Sequence, residues 1–221
     1  MEKNVYSLVL LDELVEEVDK LAYKRRTSRS SLINQILAEY LSFSTPESRI
    51  KDVFSDMEKL FSDLEGFRFR DQPSDTMISV CSALHYRYRP TVRYVLELYR
   101  RSEPYMGELR ISVRTQNEDL LRLTYAYFQL WNKIENQWIG QYFPSGSVPC
   151  EILPGRCTRR LRLPKRKESE FPQKIAQAIL DYICEFDAGM KTYFAELENP
   201  GEAERQLECS YREHLKHAAI L

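Results

Sequence analysis

Near the start of the chain, apolar and polar positions alternate with a period of two. Tyr6, Leu8 and Leu10 fall on one side and Val5, Ser7 and Val9 on the other, the pattern of a strand with one buried face. From Leu11 the period lengthens. Leu14, Val18, Leu21 and Ala22 make one helical stripe, with Asp12 and Glu13 in the first turn, where the helix dipole favours acids. Lys24, Arg25 and Arg26 end that helix. Ser28 then stands where an N-cap belongs, and Leu32, Ile36, Tyr40 and Leu41 form a second stripe. One strand followed by two helices cannot satisfy its own backbone. The simplest missing strand is that of a second copy of the chain.

The run SFSTP at 42–46 marks a boundary, with Ser44 or Thr45 as a cap and Pro46 at the first helical position. Ile50, Val53, Phe54, Met57, Leu60, Phe61 and Leu64 then recur at helical spacing up to Gly66. This gives three segments: 1–45, a connector helix over 46–66, and a domain over 67–221. In the last, strand-like stretches are expected at 67–70, 78–88, 91–99, 109–113 and 160–163. Helices are expected at 118–138, 172–198 and from 202 onward. The fold class is α+β, an antiparallel sheet covered on one face by helices.

Within those stretches the arginines take the opposite parity to the apolar residues: Arg68 and Arg70, then His85, Arg87 and Arg89, Arg93, Arg110 and Arg114, Arg160 and Arg162. One face of the sheet would then carry guanidiniums. Such a face is a solvated surface, a partner for the acidic C-terminal helices (Asp181, Glu185, Asp187), or an anion or nucleic-acid contact. The basic run at 156–167, part strand and part loop, adds to it. The candidate second basic surface is Arg87, Arg89, Arg93, Arg110, Arg159, Arg160, Arg162, Lys165, Arg166 and Lys167.

The N-terminal strand, the Leu-Asp-Glu-Leu entry at 11–14 and the Thr-Ser-Arg-Ser-Ser-Leu-Ile run at 27–33 resemble ribbon-helix-helix repressors of the MetJ, Arc and CopG kind. The resemblance is confined to this N-terminal part. It implies an intertwined homodimer whose paired strands lie in the major groove of double-stranded DNA. Lys3, Val5, Ser7 and Val9 would then face the bases. Backbone amides at the start of the second helix would hold a phosphate, at Ser28, Arg29 and Ser30, with Lys24, Arg25 and Arg26 just upstream. Two departures have physical consequences. Arg26 stands where the family usually has Gly, so a residue forced toward positive φ or a turn of different shape is expected there. The groove face carries Val5, Ser7 and Val9 instead of long polar side chains, so direct base readout should be weak.

Composition narrows the classes. A chain of 221 residues suggests about two domains, and a net charge of −1 confines any nucleic-acid contact to local patches. The five cysteines are odd in number and scattered, with no CxxC, as expected of reduced thiols in a cytoplasm. No signal segment or membrane-length apolar run is apparent, so no membrane partner is expected. No Walker loop, GxGxxG, GxSxG or HExxH occurs. His214 and His217, one helical turn apart near Glu213 and Cys209, are the nearest approach to a metal pair. No enzyme activity, cofactor or metal is therefore expected. The leading reading is a homodimeric transcriptional regulator. Its rivals are a ribbon used only for dimerisation, beside an Arg-rich domain that binds a protein or small anion, and an antitoxin.

Overall fold

The computed structural model describes residues 5–41, 43, 45–70, 74–87, 89–100, 104–162 and 171–221. The chain divides into two units, Met1–Arg49 and Ile50–Leu221.

In the first unit, helix α1 (Asp12–Lys24) starts from the extended backbone of Leu11 with no side-chain cap. It ends where Arg26 takes a φ of 52° and the Thr27 amide reaches back to the Ala22 carbonyl at 3.0 Å. Helix α2 (Arg29–Tyr40) is capped by Ser28, whose hydroxyl accepts the Ser31 amide at 3.2 Å. Val18 and Ala22 of α1 meet Leu32 of α2, with Leu21 and Ile33 beside them. That is a very small core. Residues 5–11 belong to no strand of the single chain, so the expected strand finds no partner among the described residues.

The second unit is built on one six-stranded antiparallel sheet: β1 (Phe67–Phe69), β2 (Met77–Ala83), β3 (Thr91–Leu98), β4 (Gly107–Val113), β5 (Cys150–Leu153) and β6 (Arg156–Leu161). The spatial order is β1-β2-β3-β4-β6-β5. Four α-helices among the described residues join it: α3 (Pro46–Ser62), whose first four residues fall in the first unit, α4 (Glu118–Ile139), α5 (Phe171–Ala195) and α6 (Pro200–His214). The α+β class and the antiparallel sheet agree with the sequence. Two boundaries do not. β2 stops at Ala83, because the chain turns there: the Leu84 amide bonds the Pro90 carbonyl at 3.0 Å and Arg89 takes a φ of 45°. β6 begins four residues earlier than expected and pairs with β5, which no periodicity in the sequence marks. The two are joined by the tight turn Pro154-Gly155, with Gly155 at a φ of 70°.

Alternation places one set of side chains against the helices. Val80, Tyr94, Leu96, Leu109, Ile111, Cys157 and Leu161 are buried there with Tyr127, Phe128 and Trp131 of α4 and Phe186 and Met190 of α5. The five buried residues of α3, Ile50, Val53, Phe54, Met57 and Phe61, join the same core. Phe61 meets the rings of Phe67 and Phe69 edge-on, with centroids 5.4 and 5.7 Å away. Polar ties fix the register of helix on sheet. The hydroxyls of Ser82 and Tyr94 both donate to Asp187 of α5, whose other oxygen pairs with Lys191. Gly189 lets α5 approach closely, since a Cβ there would lie 2.7 Å from the Trp131 ring and 2.9 Å from the Tyr127 hydroxyl.

Candidate nucleic-acid interface

The N-terminal segment presents apolar side chains on both parities. Val5 and Val9 are fully exposed, and Tyr6, Leu8, Leu10 and Leu11 are exposed as well. So are Leu14 and Tyr23 of α1 and Ile36, Leu37 and Tyr40 of α2. In a single chain the second stripe is largely bare beyond Leu32, and the first is open at Leu14. Among the described residues of this unit, only Val18, Ala22, Leu32 and Ala38 are buried. Lys3 lies outside the described residues, and Val5, Ser7 and Val9 are open to solvent.

The start of α2 is the electrostatic feature of this unit. Its first-turn amides, at Arg29 and Ser30, have no preceding turn to bond to. The Ser28 side chain satisfies only the Ser31 amide. Lys24, Arg25 and Arg26 are exposed immediately upstream, so free N–H groups and three cations occupy one short stretch of chain. Arg29 behaves differently. Its Nε donates to Asp19 Oδ1 of α1 at 2.6 Å, and its Nη2 pairs with the other oxygen. That bidentate bond holds the Asp19 carboxyl below its usual range and the Arg29 guanidinium above its own. The side chain of Arg29 is thus committed to joining the two helices, which leaves its backbone amide as the group available to an anion.

On the sheet of the second unit, the pairing register settles which arginines share a face. Arg68, Cys81, Arg93, Ser112 and Arg156 form one cross-strand row over β1, β2, β3, β4 and β6. Ser79, Val95, Arg110 and Thr158 form the next, and Glu97, Glu108 and Arg160 the third. This face is opposite the helical core. Arg68, Arg156 and Arg160 are exposed, while Arg93 and Arg110 are half-buried. Arg93 donates to the Ser79 hydroxyl at 2.9 Å, Arg110 pairs with Glu108 at 2.6 Å, and Arg160 lies over the Tyr105 ring at 5.6 Å.

Several residues expected on this surface are elsewhere. Arg87 and Arg89 sit in the β2–β3 turn, because the chain leaves the sheet before them. Arg162 follows the end of β6 and donates to the Tyr142 carbonyl, with its guanidinium over Phe143. Arg159 is the clearest correction. It has the parity of Cys157 and Leu161 and is buried on the helical face, its Nε 2.9 Å from Glu135 Oε1 of α4. Its guanidinium lies 4.5 Å from the centre of the Tyr182 ring, and Nη2 donates to the Leu221 carbonyl. Burial pushes the Glu135 carboxyl up, against the pull of Arg159. Lys165, Arg166 and Lys167 lie outside the described residues.

Among the described residues, no group of three His, Cys, Asp or Glu side chains is placed to hold an ion. No helix among them is long and apolar enough to cross a membrane.

No curated protein and no solved structure matches the chain. Residues 7–42 match the ribbon-helix-helix protein, copG family, whose members are typically DNA-binding transcription regulators.

Proposed function

We propose that the protein is a homodimeric transcription regulator of the cytoplasm that reads DNA through its first unit. Two copies pair their 5–10 segments into an antiparallel ribbon that enters the major groove, while the paired α2 N-termini hold phosphates on either side. The observation that carries this is the bare, alternating segment from Val5 to Leu11, next to free α2 amides flanked by Lys24, Arg25 and Arg26. Val5, Ser7 and Val9 cannot make a bidentate contact to a base edge. Selectivity then comes from thymine methyls, DNA shape or several dimers side by side.

The test is binding of the full chain to the DNA around its own coding region over a range of salt. Replacing Lys24, Arg25 and Arg26 with Gln should weaken binding on all sequences alike. It should also flatten the log–log salt slope by about one unit for each phosphate no longer neutralised. Unchanged affinity and slope would leave the ribbon as a dimerisation device. A specific observation supports that second reading: the sheet face opposite the helices carries Arg68, Arg93, Arg110, Arg156 and Arg160, to which a protein or small anion would bind. Under it, Arg93→Gln with Arg156→Gln would abolish ligand binding, and the N-terminal substitutions would not matter.

A further inference from the structure

Cys150 opens β5 and Cys157 is the second residue of β6, and neither is used by the function proposed above. Their strands pair so that Cys150 stands opposite Arg159 and Cys157 opposite Ile152, which places the two cysteines on a diagonal of the hairpin on its helical face. Their sulfurs are 3.1 Å apart. Cys157 is buried, whereas Cys150 is only partly so, at the edge strand of the sheet. Arg159 stands directly across from Cys150 on β6, with its guanidinium paired to Glu135. A partly exposed sulfur with a second thiol in contact supplies the components of an oxidisable pair.

We propose that Cys150 and Cys157 form a reversible dithiol–disulfide site, in which Cys150 reacts with a peroxide and Cys157 closes the bond. Cys150, as thiolate, attacks one oxygen of hydrogen peroxide. The O–O bond breaks, and the departing hydroxide leaves as water with the proton that Cys150 gave up. Cys150 is now a sulfenic acid. The Cys157 sulfur then attacks the Cys150 sulfur, the S–O bond breaks, and the second hydroxide leaves as water with the Cys157 proton. Two thiols and one peroxide become one disulfide and two waters; a dithiol reductant reverses the change. About 1 Å of approach separates the observed contact from the ~2.05 Å of a disulfide.

The order of events follows from the surroundings. The bond to Cys150 and burial together hold the Cys157 thiol far above its ordinary range, so it keeps its proton until a neighbouring sulfur is oxidised. The other cysteines serve as internal comparators. Burial pushes Cys184 up to about 11, Cys81 is buried, and Cys209 is exposed. None of these three has a thiol contact among the described residues.

The full chain, reduced and freed of reductant, is treated with hydrogen peroxide, blocked with N-ethylmaleimide and mapped by mass spectrometry without reduction. The expected result is a Cys150–Cys157 linkage, lighter by two hydrogens than the dithiol, that appears before Cys209 reacts and vanishes with dithiothreitol. Cys157→Ala should stop the reaction at a Cys150 sulfenic acid that dimedone traps, and Cys150→Ser should leave Cys157 reduced. Alkylation of both Cys150 and Cys157 after Cys209 has oxidised would overturn the site. Oxidation of Cys157 at the wild-type rate in Cys150→Ser would overturn the assignment of the reactive sulfur. The wild-type map decides alone if either variant fails to fold, and no arm depends on DNA.

Discussion

The two units pair arginine with carboxylate in opposite settings. In the first, Arg29 and Asp19 clasp two helices at the surface, each side chain about half exposed, over a core of three residues. In the second, Arg159 and Glu135 lie at about 2% and 1% exposure beneath a sheet and among aromatic rings. A surface pair of the first kind contributes little, because water and salt screen it. A buried pair carries a heavy desolvation cost and depends on its partner. The contrast shows where each unit finds its stability. The second unit is complete in one chain, with a core that draws on the sheet and four helices. The first leaves Tyr6, Leu8, Leu14, Ile36 and Tyr40 in solvent. Too little apolar area is buried there for independent folding, and a second copy is the economical remedy.

The largest expected effect tests the buried pair. Glu135→Ala should destabilise the second unit by about 3–5 kcal/mol, because it strands the Arg159 charge in the core. Replacing both partners with Leu and Met should recover most of that loss. Denaturant unfolding followed by Trp fluorescence measures it directly, since both tryptophans, Trp131 and Trp138, belong to α4. The midpoint of this unit should not depend on protein concentration, while that of the first unit should. A first unit whose unfolding is indifferent to dilution would break the contrast between half a fold and a whole one.

Much of this was legible in the sequence, and the failures have physical causes. Helical stripes mark α1, α2 and α3, and Ser28 is readable as a cap because its hydroxyl serves the amide three residues on. Replacement of the usual glycine by Arg26 points to a strained turn, and Arg26 has a φ of 52°. The burial of Arg159 is legible in the strand pattern itself. Neighbouring residues of a strand face opposite sides, so Arg159 and Arg160 cannot share a surface, and Cys157 and Leu161 fix which side is buried. Arg87 and Arg89 are not on the sheet, because the strand stops at Ala83 and the chain turns before Pro90. β5 was missed because Cys150–Leu153 is a four-residue edge strand, too short for a period to show. The Glu135 and Asp187 ties could not be read at all, since each joins elements far apart in sequence.

A smaller effect is expected at the turn of the first unit. A left-handed conformation costs an L-residue roughly 1–2 kcal/mol, part of which a glycine returns as unfolded-state entropy. Arg26→Gly should therefore stabilise the first unit by about 1 kcal/mol per protomer, raising its midpoint while leaving the second unit unchanged. If DNA is bound as proposed, the same substitution lowers the salt slope, so stability and affinity should move in opposite directions. A loss of stability would mean that the turn relies on the Arg26 side chain and not on its backbone.

The smallest effect separates the units by pH. Burial holds His214 of α6 below its ordinary value of 6.5, against the opposing influence of Glu185 and Asp181. The unfolded chain then binds a proton that the folded chain resists. The stability His214 contributes is fully present above pH 6.5 and is lost as the pH falls toward its folded value. Asp19 titrates elsewhere. Its carboxyl is held below 3.8 by the bond to Arg29, so its contribution is present above 3.8 and disappears only as the pH falls through the lowered value. Between neutrality and mild acid, His214 should therefore weaken the second unit while the Asp19 pair leaves the first untouched. Glu135 acts in the opposite sense, because a carboxyl raised by burial favours the folded state at lower pH. The informative quantity is thus the difference between wild type and His214→Gln, measured as unfolding midpoints at about pH 7.5 and about pH 5.5, on either side of the ordinary histidine value. That difference should change between the two pH values for the second unit and stay constant for the first. A constant difference in both would show that the His214 ring stays hydrated, and that the stacking of its ring on Tyr211 does not shield it.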